Sequence, residues 1–423
     1  MTAFLRKLGI IAKDKNLRSK FIFVAVALII FRAFAAIPIP GVDTLKLEQF
    51  LSNNQFFGLL DVFSGGGLSS LSIVMLGVGP YITGSIIMQL LTMMSPKLKA
   101  LYHEEGEAGR KKFSQYSRML TVPLAILQAI GFILLLKNQG VLDAMTSFEL
   151  GLNVLIVTAG SVLLMWLGEL ITEFGIGNGV SLIIFSGIVA RIPSALSEIM
   201  LNFNASQIPL ILAFIVCALV VIGGVVFITE AERPVPVTYA KRVRGNKVYG
   251  GVSTYLPLRI NQAGVIPIIF ALSILIFPQM IAQFLATSGN AIISGGATWV
   301  MGVLQNQLIY GVLYFLFVFV FTYFYTAVTF EPDSIATNLQ KNGAFIPGVR
   351  PGVPTSEYLG NIITRITLVG ALFLGVIAVL PLILRAVTGF AALTIGGTAL
   401  LIVVSVVIDL IKKVEAQLTM REY

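Results

Sequence analysis

The chain has 423 residues, of which 57% are apolar and only 12% charged, and its mean hydropathy is +0.92. That balance excludes an ordinary soluble domain and identifies a polytopic membrane protein. The single cysteine, Cys217, and the single histidine, His103, exclude a disulfide framework and a histidine-based metal centre, while the net charge of +9 calls for anionic surroundings or a topological explanation.

In chain order, residues 1–20 are basic and amphipathic, and the apolar run behind them is too long for a cleaved leader and ends without a small-residue cleavage site. It predicts a retained first span. Counting apolar stretches long enough for a hydrocarbon core of about 30 Å predicts ten spans, at 21–37, 71–94, 119–136, 152–171, 180–192, 208–228, 263–285, 309–328, 362–384 and 392–411. The fifth is short, and the preceding Gly175-Ile176-Gly177-Asn178-Gly179 suggests a helix that begins at the interface.

Between the first two spans lies the most irregular apolar segment. Residues 56–70 read as a short amphipathic helix broken by Gly65, Gly66 and Gly67, followed by a full span at 71–94. Irregular backbone at membrane depth is tolerated only when buried in protein or lining a water-filled space. A half-helix beside a whole one therefore suggests a pore or cavity; a surface loop with a small hydrophobic anchor is the alternative.

Lys and Arg concentrate on one side of the ten spans. Arg6 to Lys20 precede the first, Lys97 to Arg118 follow the second, Arg233 to Arg259 follow the sixth, Lys341 to Arg365 follow the eighth, and Lys412, Lys413 and Arg421 close the chain. The opposite loops offer Lys46, Lys137, Arg191 and Arg385. The positive-inside rule places both termini and the basic loops in the cytoplasm. Ten spans split five and five at an external hinge, 196–207, giving halves 1–195 and 208–423 that enter from opposite sides, as an inverted repeat requires.

The cytoplasmic loops 230–262 and 330–361 are longer than neighbouring spans need. In the first, short β-prone runs flank Arg244-Gly245-Asn246 and predict a hairpin with a cationic tip carrying Lys241, Arg242, Arg244 and Lys247. In the second, prolines and glycines from Gly343 to Gly352 make a rigid bend presenting Arg350. Both suit docking of an anionic partner such as ribosomal RNA or an acidic protein face.

The residues then carry a family resemblance over nearly the whole chain. Phe31-Arg32, Ile37-Pro38-Ile39-Pro40-Gly41, Met75-Leu76-Gly77-Val78-Gly79-Pro80-Tyr81-Ile82, Gln89-Leu90-Leu91, Glu105-Gly106-Glu107-Ala108-Gly109-Arg110, Gly175 to Gly179, Tyr239-Ala240-Lys241-Arg242, Leu256-Pro257-Leu258-Arg259-Ile260-Asn261, Ala263-Gly264-Val265-Ile266-Pro267 and Gly343 to Gly352 resemble the SecY family, in the family's order. The hairpin tip departs from it at Asn246, where another basic residue is common, and Arg233-Pro234-Val235-Pro236 replaces a more charged approach.

The resemblance implies an all-α fold of ten transmembrane helices in two inverted five-helix halves around a central pore in the cell inner membrane. Residues 56–70, with Phe56, Leu60, Phe63 and Gly65 to Gly67, would be a plug helix that closes the pore from outside. A ring of Val78, Ile82, Val180, Ile184, Ile269 and Ile402 would grip the translocating chain; branched aliphatics offer no fixed hydrogen bonds to snag it and block ions by dewetting. Gln89, Gln128 and Asn261 resemble lateral-gate positions between the second and third spans and the seventh and eighth, where amides would pair across the closed seam at about 1 kcal/mol each. The function implied is a protein-conducting channel that passes unfolded polypeptides and releases transmembrane segments sideways. The partners implied are SecE and SecG, the ATPase SecA or the translating ribosome, signal peptides, nascent chains and membrane lipids.

A solute transporter would also show ten spans and a broken segment, but its coupling needs ionisable groups at the midplane. Here Arg32 lies towards the outer end of its span and Glu169 and Glu173 towards the cytoplasmic end of theirs. That favours a passive conduit. No His-Glu-x-x-His, Gly-x-Ser-x-Gly or Gly-Lys-Ser string occurs, so neither an enzyme nor a bound cofactor is expected.

Overall fold

A computed structural model describes residues 14–40, 64–68, 70–138, 140–142, 146–201, 208–240, 242–244, 247–249, 251, 253–286, 290–388 and 396–422. The expected plug residues Phe56, Leu60 and Phe63, the hairpin residue Lys241 and the tip residue Asn246 lie outside them. Helix α1 (Lys15–Ala35) starts where the Asp14 carboxylate accepts hydrogen bonds from the backbone N–H groups of Asn16 and Leu17, at 2.9 and 3.3 Å. Those are donors that a helix start leaves free.

The predicted second span is helical only from α2 (Gly79–Met94), 16 residues or about 24 Å long. Residues 70–78 form tight turns instead. Leu71 takes φ 41° and Gly77 φ 57°, conformations that do not continue a helix, and Pro80 suits only a first turn. The turns satisfy their backbone against the end of α1: Ile39 N–H donates to Leu71 O, Ile73 N–H donates to Ile37 O, both at 2.9 Å, and Pro38 bridges Ser72. The broken element is thus the second span itself.

Next come α3 (Pro96–His103), α4 (Gly106–Asn138), α5 (Ser147–Phe174), α6 (Gly179–Leu201) and α7 (Ile208–Glu230). Thr146 and Glu149 exchange hydrogen bonds as a capping box at the start of α5. Asn178 Oδ1 accepts from Ser181 N–H to start α6, whose 23 residues continue through Pro193. The apolar part of α6, Gly179–Pro193, is short, as expected of the fifth span, and the helix runs on to Leu201 through the start of the stretch expected to be external.

Strands β1 (Glu232–Tyr239), β2 (Arg242–Arg244), β3 (Lys247–Tyr249) and β4 (Ser253–Arg259) follow, then α8 (Ile266–Ala286), α9 (Ala291–Gln305), α10 (Gln307–Thr329), α11 (Pro332–Lys341), β5 (Ala344–Phe345), α12 (Val353–Thr388) and α13 (Gly396–Glu422). The two long loops, 230–262 and 330–361, share one sheet in the order β4-β1-β5, with Thr238 opposite Phe345. Val235, Val237, Leu258, Ala344 and Ile346 pack with Leu359, Ile362, Ile363 and Ile366 of α12 as a separate small core.

The protein is mainly helical. Among the described residues four stretches, on α4, α5, α10 with α11, and α12, are long and apolar enough to cross a membrane. One large apolar cluster draws buried residues from α1, α2, α5, α6, α7, α8, α10, α12 and α13, so both halves of the chain share a single core. A second cluster packs the turn residues Leu68, Leu71, Met75 and Leu76 against α4 and α5.

Candidate functional site

Where the halves meet, the helices leave a cavity of about 500 Å³ on the sheet side of the large core. Its inner end is aliphatic: Ile82 of α2, Val180 and Ile184 of α6 and Ile269 of α8 line it. The rest of its lining is mixed, with Ser85, Gln89, Thr172, Asn178 and Ser181 beside Ile266, Phe270 and Tyr325. Near the wider end Arg118 Nε donates to Glu169 Oε1 at 2.5 Å, joining α4 to α5, and Glu173 stands close by.

Of the six expected ring residues, Ile82, Val180, Ile184 and Ile269 line the cavity, and Val78 and Ile402 lie in the large core without lining it. Val78, Ile184, Ile269 and Ile402 are buried in the large core, and Ile82 and Val180 pack against it from the cavity side. They arrive from α2 and the turn before it, α6, α8 and α13, four separate stretches that are far apart in sequence. The local fold explains their aim. The turn at Gly77 starts α2 at Gly79, and the buried Ser161 hydroxyl donates to the Gly77 carbonyl at 2.9 Å, tying that start to α5. Gly179, whose N–H donates to Thr172 Oγ1 at 2.8 Å, lets α6 begin against the Gly168 carbonyl, where a Cβ would stand 1.9 Å away. Any larger residue there would move Val180.

On the far side of the large core the described residues pack tightly. Ser64 and Leu68 are buried, and the expected helix-breaking glycines fill close contacts. Gly65 takes φ 70° beneath the Phe31 ring, and a Cβ on Gly187 of α6 would lie 2.1 Å from Gly65 Cα. Gly67 has no room for a side chain beside Ser72 and Val74. Arg32 clamps this contact: its guanidinium donates to the carbonyls of Gly65 (3.0 Å), Ser186 (2.8 Å) and Gly187 (3.1 Å). The sequence placed Arg32 near the outer end, either snorkelling or pairing with the bundle; the structure shows the pairing, with the carbonyls of Gly65, Ser186 and Gly187.

Helix α8 packs against both α2 and α4, and this contact between the chain's two halves is the expected seam. The expected amide pairing across it is absent. Asn261 Nδ2 instead donates to the Gly264 carbonyl at 3.3 Å, closing the turn before α8, while Gln89 Oε1 is buried without a partner and Gln128 is half-buried on α4. The reason is local: Gly264 at φ 60° turns its carbonyl within reach of Asn261, three residues away. A seam link that the sequence did not disclose is the 2.9 Å ion pair of Lys99 on α3 with Glu331, which joins the halves on the sheet side.

At the sheet, β2 and β3 form the predicted hairpin with Arg242 opposite Tyr249 and Arg244 opposite Lys247. Arg350 is exposed on the bend between β5 and α12, where Gly348 and Gly352 take φ 83° and 98° and Thr355 Oγ1 donates to the Arg350 carbonyl at 2.8 Å. Strands β2 and β3 form a separate two-stranded sheet, whereas the bend is tied to the sheet β4-β1-β5 because β5 pairs with β1. The alternation of Val235 and Val237 was the signal for that sheet.

A family model described as SecY matches residues 72–411. The protein translocase subunit SecY of Mycobacterium tuberculosis (strain H37Rv) is 43% identical over 445 residues, covering 100% of this chain and 99% of that relative. A solved SecY structure, described for a plug domain that stabilises the closed state and maintains a membrane seal, superposes with a TM-score of 0.65 at 19% identity, over 96% of this chain and 93% of that one. Sec61 in a canine ribosome–channel complex from the endoplasmic reticulum superposes with a TM-score of 0.61 at 16% identity, over the same shares.

Proposed function

Since the chain belongs to the SecY family, and is thus a membrane-embedded protein-conducting channel rather than an enzyme, we propose how its residues divide that work. Ten spans in two inverted halves enclose a pore in the cell inner membrane, with both termini and the sheet platform in the cytoplasm. The cavity is the cytoplasmic vestibule. That Ile82, Val180, Ile184 and Ile269 line it, with Val78 and Ile402 buried in the core beside them, supports the reading of Val78, Ile82, Val180, Ile184, Ile269 and Ile402 as the ring that grips a translocating chain. An apolar constriction of this kind excludes ions by dewetting yet yields to an extended peptide.

Residues 56–70 are the plug, and the clamp of Arg32 on Gly65, Ser186 and Gly187 holds its C-terminal end in the closed state. The seam of α2 and α4 with α8 and α10 is the lateral gate for signal peptides and membrane spans. Its few polar contacts, Gln89 unpaired and Asn261 turned to its own loop, support reversible parting. The hairpin cations and Arg350 dock SecA or the translating ribosome, as the canine neighbour's ribosome complex suggests, and SecE and SecG complete the assembly.

One experiment tests the ring. In a Cys217→Ala background, a cysteine at Val78 or Ile269 should crosslink to a stalled secretory chain carrying a matching cysteine, and one at the lipid-exposed Leu219 should not. Crosslinking at Leu219 alone would overturn the assignment.

A further inference from the structure

We propose that α9 is an interfacial helix whose outward face lies among the lipid headgroups on the membrane side opposite the β-sheet. Its 15 residues measure about 22 Å, too short for a core of about 30 Å. It cannot leave the bilayer surface either. Four residues, 287–290, join it to α8, Asn306 alone joins it to α10, and it packs against both helices.

Its two faces differ. Ala297 is buried and Leu304, seven residues on, packs against the large core, whereas Ile292 and Trp299, also seven apart, are 86% and 70% exposed. At 3.6 residues per turn the two stripes stand about 140° apart. No Asp, Glu, Lys or Arg occurs from residue 260 to 330. An uncharged helix presenting bare isoleucine and tryptophan to water is an aggregation liability. At the interface the isoleucine reaches the acyl boundary and the indole sits at headgroup level. The exposed flank of α10, with Leu308 and Val312, continues the same apolar surface into the bilayer. A consequence follows for gating: α8 is a wall of the seam, so a lateral movement of α8 draws α9 through the headgroup layer.

The inference rests on the ten-span reading, and the chain's two tryptophans separate the two claims. Trp166→Phe leaves Trp299 as the reporter, and Trp299→Phe leaves Trp166 on α5, which is 56% exposed. Each full-length variant is reconstituted in vesicles of phospholipid brominated near either the glycerol end or the methyl end of the acyl chain. Trp299 emission should be lost most to the bromines near the glycerol end. Loss only to aqueous iodide would put α9 in water, and protection from both quenchers would put it under a protein partner; either overturns the proposal. If Trp166 also escapes every bromine, the span reading fails and the proposal with it.

Discussion

The two sides of the large core are built on opposite plans. On the sheet side the helices splay around a cavity of about 500 Å³ with polar and aliphatic lining and end in a sheet with exposed cations. On the far side tight turns pack in, with Leu71, Val74 and Met75 wholly buried and glycine backbones in direct contact. In the proposed channel the first side would admit a chain and the second would seal. The difference lies in packing more than in hydrophobicity: small residues and one arginine let backbones touch on the closed side, where bulkier side chains would hold them apart.

Four substitutions test that division. Arg350→Glu reverses the exposed charge on the platform and should abolish motor-driven export in a vesicle translocation assay while the protein still inserts; normal export would remove the platform's docking role. Arg32→Leu strands the carbonyls of Gly65, Ser186 and Gly187 and should destabilise the closed side by about 3 kcal/mol or more. The readout is ion leak through reconstituted channels without substrate, and a tight channel would mean that the clamp does not hold the seal.

Gly187→Ala forces a methyl group to within 2.1 Å of Gly65 Cα and should raise the same leak at a cost of about 1–3 kcal/mol. Gly151→Ala, whose methyl meets nothing within 4 Å, is the matched control and should leave it unchanged. The smallest effect belongs to Lys99→Gln, which removes an exposed ion pair worth a few tenths of a kcal/mol and should slightly favour the parted seam. The hydrogen bond and charge of Glu331 raise the Lys99 ammonium above its usual 10.5. The pair's contribution is therefore whole below that value and is lost as pH rises through the raised one. A melting-temperature difference between wild type and Lys99→Gln that persists at still higher pH would contradict this.

Part of the molecule was legible before the fold. The basic loops and the β-prone runs on either side of Arg244 carry local signals, because charge and strand propensity act over a few residues, whereas Val78 and Ile269 stood out only through the family resemblance of the strings around them. The turn at 70–78 was not legible. Its residues are apolar enough to continue a span, and only contacts with the end of α1 and with α5 make non-helical backbone affordable there. The seam amides show the converse: Asn261 looked suited to a partner across the seam and was taken by a carbonyl three residues away.

Composition and periodicity by themselves determine that this chain lives in a membrane and which loops bear the cations. Each of those follows from transfer free energies and local geometry, which are properties of short segments. Only the tertiary structure decided that aliphatic residues of α2, α6 and α8 line one cavity, that β5 joins the loops 230–262 and 330–361 in one sheet and that Gly65 rests against Gly187 under Arg32. Close approach of two backbones depends on what both partners lack, and a missing side chain carries no pattern along the chain.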